Sequence, residues 1–249
     1  DFCLSRGLGD VYKRQRMRNI SFPLKLLLAL IPVTVMGADV TPGDIVSASS
    51  ITPEKASSYF VASPISNDMF LRINNKSWKE ICHHDRKDFR YLTALHYDGK
   101  GQIRLGELII HQSVAKEVLD ILKELYIAKY PIEKMVLIDN YGADDELSMT
   151  ANNSSAFNCR VVKGSKKLSA HARGMAVDIN PLYNPYVKVK NGQTIVQPEA
   201  GRPWIVRNAT VPYKIDENDL AYKLFKKHGW EWGGDWKSLK DYQHFEKTP

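Results

Sequence analysis

The stretch Ser169-Ala-His171-Ala-Arg-Gly174-Met-Ala176-Val-Asp178-Ile-Asn180-Pro181 constrains this chain more than any other. A seven-residue spacing would set His171 and Asp178 on one face of a helix. Gly174 inside the segment, β-branched Val177 and Ile179, and Pro181 directly after it argue for a strand instead. On a strand, Gly174, Ala176 and Asp178 share one face while Met175, Val177 and Ile179 point into a core. His171 then lies on the loop leading in, and the small residues beside Asp178 leave room for a bound group. A second stretch near the end, Asp241-Tyr-Gln-His244-Phe-Glu246, supplies another imidazole and two more carboxylates.

Together these stretches can hold one divalent metal and supply one base. A catalytic zinc usually keeps three protein ligands and leaves a fourth position to water. His171, Asp178 and His244 offer two nitrogens and an oxygen, a set that suits zinc better than magnesium or calcium. Zinc lowers the pKa of its water to about 7, and a base must still guide that water and hand its proton to a leaving amine. Asp241 is the candidate base. On one continuous strand Asp241 and His244 would point apart, so the chain must turn between them. Glu246 shares a face with His244 and is the candidate partner that orients the imidazole. Arg160 is a candidate oxyanion stabiliser, with a plain surface arginine as the alternative, and Ser169 is expected to brace the loop by hydrogen bonding.

The rest of the chain frames this set. Residues 1–16 precede the first methionine, show no sustained period and read as non-native or flanking sequence. Residues 17–38 read as a secretory signal peptide: Arg18 and Lys25 flank or interrupt an apolar run closing on Gly37 and Ala38. That run falls short of the ~20 clean apolar residues of a membrane span, so no stable membrane anchor is expected after cleavage, the alternative being an uncleaved anchor. Without residues 1–38, 29 of the 35 basic and 26 of the 28 acidic residues remain, a formal +3 instead of +7. This removes most of the case for a nucleic-acid partner. Cys82 and Cys159 remain, either paired, as an oxidising compartment permits, or as two free thiols.

Residues 39–66 are rich in Ser, Thr, Pro and Ala and read as a linker, with one domain over 67–249. Cys82-His83-His84-Asp85 reads as a polar surface loop, since adjacent side chains diverge. A β-hairpin is predicted over Tyr91–Tyr97 and Gln102–Ile110, with Asp98-Gly99 in its turn. An amphipathic helix through Val114, Val118, Ile121, Leu122 and Leu125 follows, ending by Pro131. Met135–Asp139 is expected as a short strand and 181–212 as loops walling a cleft. A helix capped by Asp216 should stop at Gly229. Of Trp230, Trp232 and Trp236, at least two are expected in the core.

Ser169-x-His171-x-x-Gly174-x-Ala176-x-Asp178, the Gly-Trp-x-Trp-Gly-Gly-Asp-Trp block and Asp241-x-x-His244-Phe-Glu246 resemble the zinc-dependent VanY-type peptidases. These are the D-alanyl-D-alanine carboxypeptidases and L-alanyl-D-glutamate endopeptidases of peptidase family M15, and the sequence is similar to subfamily C. The resemblance covers roughly residues 90–247. It implies Zn2+ on His171, Asp178 and His244, a catalytic carboxylate at Asp241, and an assisting arginine for which Arg160 is the nearest fit. The setting Phe-Asn-Cys-Arg departs from the commoner Gly-Tyr-Arg. The implied fold is α+β, a small antiparallel sheet flanked by helices in the LAS/hedgehog-like arrangement. The implied function is a secreted metallopeptidase acting on the peptidoglycan stem peptide in the periplasm or cell wall, with the short tail motif inclining the reading to the endopeptidase. The alternative is an inactive zinc protein that binds cell wall. Nothing in the sequence indicates an oligomeric state.

Overall fold

A computed structural model describes residues 40–162, 165–208 and 210–248. The expected flanking leader and signal peptide lie outside the described residues. The described residues form one compact unit of short helices and small antiparallel sheets, an α+β architecture. No helix among the described residues is long and apolar enough to cross a membrane.

Strands β2 (Phe89–Tyr97) and β3 (Ile103–His111) form the predicted hairpin, in register from Phe89 opposite His111 to Tyr97 opposite Ile103. The Asp98 carboxylate accepts from the amides of Lys100 and Gln102, and the left-handed residue is Gly101 (φ +73°), not Gly99. Both hairpin faces are covered, so the strands read as nearly continuous apolar runs rather than alternating ones. Leu92, Ala94, Leu108 and Ile110 pack with helix α3 (Gln112–Ile127), while Phe89 and Ile109 join a second cluster with Trp78, Phe157 and the Cys82–Cys159 disulfide.

The segment 39–66, expected as a linker, contains helix α1 (Pro53–Ser57) and strand β1 (Val61–Pro64), which pairs antiparallel with β2. Helix α2 (Asn67–Ile73) follows, and its Arg72 donates to both oxygens of the fully buried Glu107. The apolar content of 39–66 is sparse, but Val46 and Ile65 are buried, so small anchors and edge pairing do what periodicity did not advertise.

Met135–Asp139 is not a strand. The segment is extended and buried, with a single-turn 3-10 helix starting at Ile138, and only the Glu107 amide pairs with its Met135 carbonyl. Side chains stand in for a strand partner at the next two residues: Asn153 accepts from the Val136 amide at 2.9 Å and donates to the Val136 carbonyl at 2.9 Å, and Glu107 Oε1 accepts from the Leu137 amide at 3.2 Å. The acidic loop winds into helix α4 (Asp145–Thr150), capped by Asp144.

The second sheet consists of β4 (Ala176–Asp178), β9 (His244–Glu246) and β7 (Glu231–Trp232), in the order β4-β9-β7. Val177, Ile179 and Phe245 enter the same core cluster as α3 and as helix α5 (Leu220–Lys227), where Phe245 stacks on Phe225 at 4.3 Å. The cap of α5 is Asp219, whose carboxylate accepts from the amides of Ala221 and Tyr222; Asp216 instead closes the preceding turn through the Asn218 amide. Residues 181–212 are not all loop, because β5 (Tyr186–Lys190) and β6 (Gln193–Gln197) form a hairpin. This hairpin pairs with β8 (Lys240–Asp241) to make a third sheet.

Asn153→Ala would leave the buried amide and carbonyl of Val136 unpaired, at about 1–3 kcal/mol for each stranded group. Urea denaturation should show a loss of about 2–4 kcal/mol with an unchanged slope. A loss below about 0.5 kcal/mol would show that Asn153 does not replace a strand partner.

Candidate metal centre

The site is set by the pairing of two strands. In the β4–β9 ladder Ala176 faces Glu246, Val177 faces Phe245 and Asp178 faces His244. Because side chains alternate along a strand, the pairing that sends Val177 and Phe245 into the core sends Asp178 and His244 together to the opposite face.

The third member arrives on a 3-10 turn, His171–Arg173. Ser169 braces this turn, its hydroxyl accepting from the Ala172 amide at 3.0 Å. Gly174 ends it in a left-handed conformation (φ +64°), its carbonyl accepting from the His111 amide. A Cβ at this position would lie 2.7 Å from both the His111 nitrogen and the Phe89 ring, so only glycine passes here.

The three side chains converge. His171 Nε2 is 3.1 Å from His244 Nδ1 and 3.2 Å from Asp178 Oδ2, and His244 Nδ1 is 2.9 Å from Asp178 Oδ1. All three residues are buried. The outer ring nitrogens are also engaged: His171 Nδ1 donates to the Ala156 carbonyl at 2.5 Å, and His244 Nε2 donates to Glu246 Oε2 at 3.1 Å. With those nitrogens protonated, both neutral imidazoles present a lone pair to the same point as a carboxylate oxygen. Three acceptors facing one another need a cation between them. Ligand bonds of about 2.0–2.1 Å meeting at tetrahedral angles set neighbouring donor atoms roughly 3.3 Å apart, close to the separations found. The residues present therefore fit a metal, and this is the one group of three or more metal-ligating side chains among the described residues.

Without a metal the cluster stores its charge in protons. Burial alone would lower the His244 pKa, but its hydrogen bonds to Asp178 and Glu246 outweigh burial and hold it up at about 10. Burial likewise would raise the Asp178 carboxyl, but the two imidazoles keep it well below the usual carboxylate range.

Asp241 sits on β8 opposite Tyr186, and Tyr242 and Gln243 form the turn that separates it from His244 on β9. Its Oδ1 is buried and has no hydrogen-bond partner among the described residues. Burial raises its pKa to about 7, against the pull of His244. A Cβ at Gly233 would lie 2.6 Å from the Asp241 carbonyl, so the Trp-Gly-Gly segment lets this close approach occur. Trp230 and Trp232 are core residues, while Trp236 is half-buried with its ring 5.4 Å from that of His244.

Arg160 is partly exposed and ion-paired with Asp145 at 2.5 Å, and its charge acts on Asp241. Of the other arginines available to meet a substrate carboxylate, Arg207 spends its donors on Asn184 and the carbonyls of Tyr183 and Ile215, and Arg202 pairs with Glu199. Arg173 donates to the Leu168 carbonyl.

Sequence reasoning misses three supports of the site. The Ala156 carbonyl behind His171 carries no sequence signal. Asp145 shows in the sequence only as one acid of an acidic loop. Cys82-His83-His84-Asp85 is not a surface loop throughout, because Cys82 is buried in the disulfide and His84 Nε2 donates to the Ala172 carbonyl at 2.5 Å.

An acid whose pKa is raised by folding costs stability once it ionises: the folded state holds the proton above pH 3.8, where the unfolded chain has released it. For the metal-free chain, thermal unfolding of Asp241→Asn against the parent should therefore show a gap growing in the variant's favour from pH 4 to pH 8. The growth should be on the order of 2–4 kcal/mol. A gap that stays constant would place Asp241 in a solvated setting.

Comparison with known proteins agrees with this region. Residues 163–247 match the family model described as D-alanyl-D-alanine carboxypeptidase, a segment that contains His171, Asp178, Asp241 and His244. No curated protein and no solved structure matches the chain significantly. Over that segment the chain is similar to the D-alanyl-D-alanine carboxypeptidase family of M15 peptidases.

Proposed function

We propose that this chain is an exported, zinc-dependent peptidase that hydrolyses a peptide bond of the peptidoglycan stem peptide. The observation that carries the reading is the convergence of His171, Asp178 and His244, with the half-buried Asp241 offering a buried Oδ1 that has no hydrogen-bond partner among the described residues. The β4-β9-β7 sheet with its flanking helices suits the LAS/hedgehog-like arrangement. Two nitrogens and one carboxylate favour zinc over the harder divalent ions. Bound there, zinc supplies Lewis acidity and acidifies a water to a pKa of about 7.

The chain's own groups do the remaining work. Asp241, whose buried Oδ1 has no hydrogen-bond partner among the described residues, takes the proton of the attacking water and passes it to the leaving nitrogen. Arg160, held by Asp145, stabilises the negative charge on the substrate carbonyl oxygen. Glu246 and the Ala156 carbonyl keep the imidazoles of His244 and His171 in the tautomers that ligation requires. Ser169 holds the His171 turn closed.

The unspent Asp241 carboxyl favours catalysis over the alternative of an inactive cell-wall-binding zinc protein. Between the two bonds, the short tail motif Asp241-Tyr-Gln-His244 inclines the reading to an internal L-alanyl-D-glutamate bond over a terminal D-alanine. The Cys82–Cys159 disulfide supports an oxidising compartment, in keeping with a signal peptide over 17–38.

Mass spectrometry of muropeptides incubated with the protein tests the reading. Cleavage should occur, stop on chelation and return with zinc, and Asp241→Asn should slow it about 10²–10⁴-fold. Cleavage that persists in chelator, or is unchanged in Asp241→Asn, would contradict the assignment.

A further inference from the structure

The segment Cys82-His83-His84-Asp85 has no part in the chemistry above, yet it touches the turn that carries His171. His83 adopts a left-handed conformation (φ +50°), which turns the chain sharply between Cys82 and His84. The His84 ring lies among Trp78, Phe89 and Phe157, at centroid distances of 5.9, 5.0 and 6.0 Å. Its Nε2 donates to the carbonyl of Ala172, the residue after His171. An apolar ring would fill an aromatic cage at lower desolvation cost than an imidazole. What histidine adds here is the N–H.

The other half of the disulfide reaches the same turn from a second side. Cys159 donates its amide to the Ser77 carbonyl, the neighbouring Asn158 amide donates to the His171 carbonyl at 3.4 Å, and the Ala156 carbonyl receives His171 Nδ1. Two segments therefore hold three atoms of the turn, and one covalent bond ties the segments together, with Cα atoms 6.1 Å apart.

We propose that His84, tethered by the Cys82–Cys159 disulfide, is a positioning residue that fixes the His171 turn and thereby sets the chain's affinity for its metal. The proposal rests on the metal-site reading above. His84 does not touch the metal or substrate; it acts through the Ala172 carbonyl, and the disulfide keeps it and the Ala156–Asn158 support from drifting apart.

The test compares the full chain with His84→Phe, His84→Gln and the double variant Cys82→Ser/Cys159→Ser. Zinc affinity is measured by competition with a chromophoric chelator, alongside the melting temperature of each metal-free protein. His84→Phe, which keeps the ring and loses the donor, should weaken zinc binding about 10–100-fold while its metal-free melting temperature stays within a few degrees of the parent's. His84→Gln, whose amide can donate to the same carbonyl, should recover most of the affinity, and the double serine variant should lose affinity as His84→Phe does. Parental zinc affinity in both His84→Phe and the double variant would overturn the proposal; should His84→Phe not fold, the double variant alone decides it in the same way. A parent chain that binds no zinc would instead overturn the metal-site reading beneath it.

Discussion

The site depends on one antiparallel register, Asp178 opposite His244. Cross-strand partners are the closest side chains that two distant pieces of sequence can be given, and the pairing is held by what lies on the reverse face. Val177 and Phe245 are fully buried, with Phe245 stacked on Phe225. A slip of one residue by either strand would turn that strand's buried side chain, Val177 or Phe245, out of the core and send Asp178 and His244 to opposite faces. The apolar side of a short ladder thus specifies the polar side, and the energy that fixes the candidate ligands is largely hydrophobic.

The electrostatic problem follows from that placement. Asp178, Asp241 and Glu246 bring three carboxyls to two imidazoles in a poorly solvated space. In the metal-free chain the balance is kept by protons, with His244 strongly basic and Asp241 reluctant to ionise. A divalent cation would take over the proton's role between His171, Asp178 and His244. It would also leave Asp241 free for proton transfer, so the same burial that makes the metal-free cluster costly prepares the carboxyl for its proposed work.

Much of this was legible in the sequence because it is local or pattern-borne. Gly174, the β-branched residues and Pro181 ruled out a helix, and the alternation through Val177 assigned the faces correctly. The hairpin followed from the Asp98-Gly99 turn between two apolar runs, and α3 from its helical periodicity. The need for a turn between Asp241 and His244 followed from strand geometry, and Tyr242 and Gln243 supply it. What escaped was tertiary. Met135–Asp139 has a strand's composition, but its partner is the Asn153 side chain, which no periodicity reveals. The α5 cap shifted from Asp216 to Asp219 because both residues suit a cap and only packing chooses. Residues 39–66 looked like a linker because edge pairing with β2 needs little apolar content. His84 looked superficial because its neighbours in sequence are polar, whereas its neighbours in space are Trp78, Phe89 and Phe157.

Metal stoichiometry measured by elemental analysis and titration calorimetry tests the central claim most directly, on the parent chain and on His171→Ala, Asp178→Ala and His244→Ala. The account predicts one zinc per parent chain and its loss, or a fall in affinity of several orders of magnitude, in each variant. One zinc bound at parental affinity by His244→Ala would contradict it, because the two strands would then not be gripping a common ion.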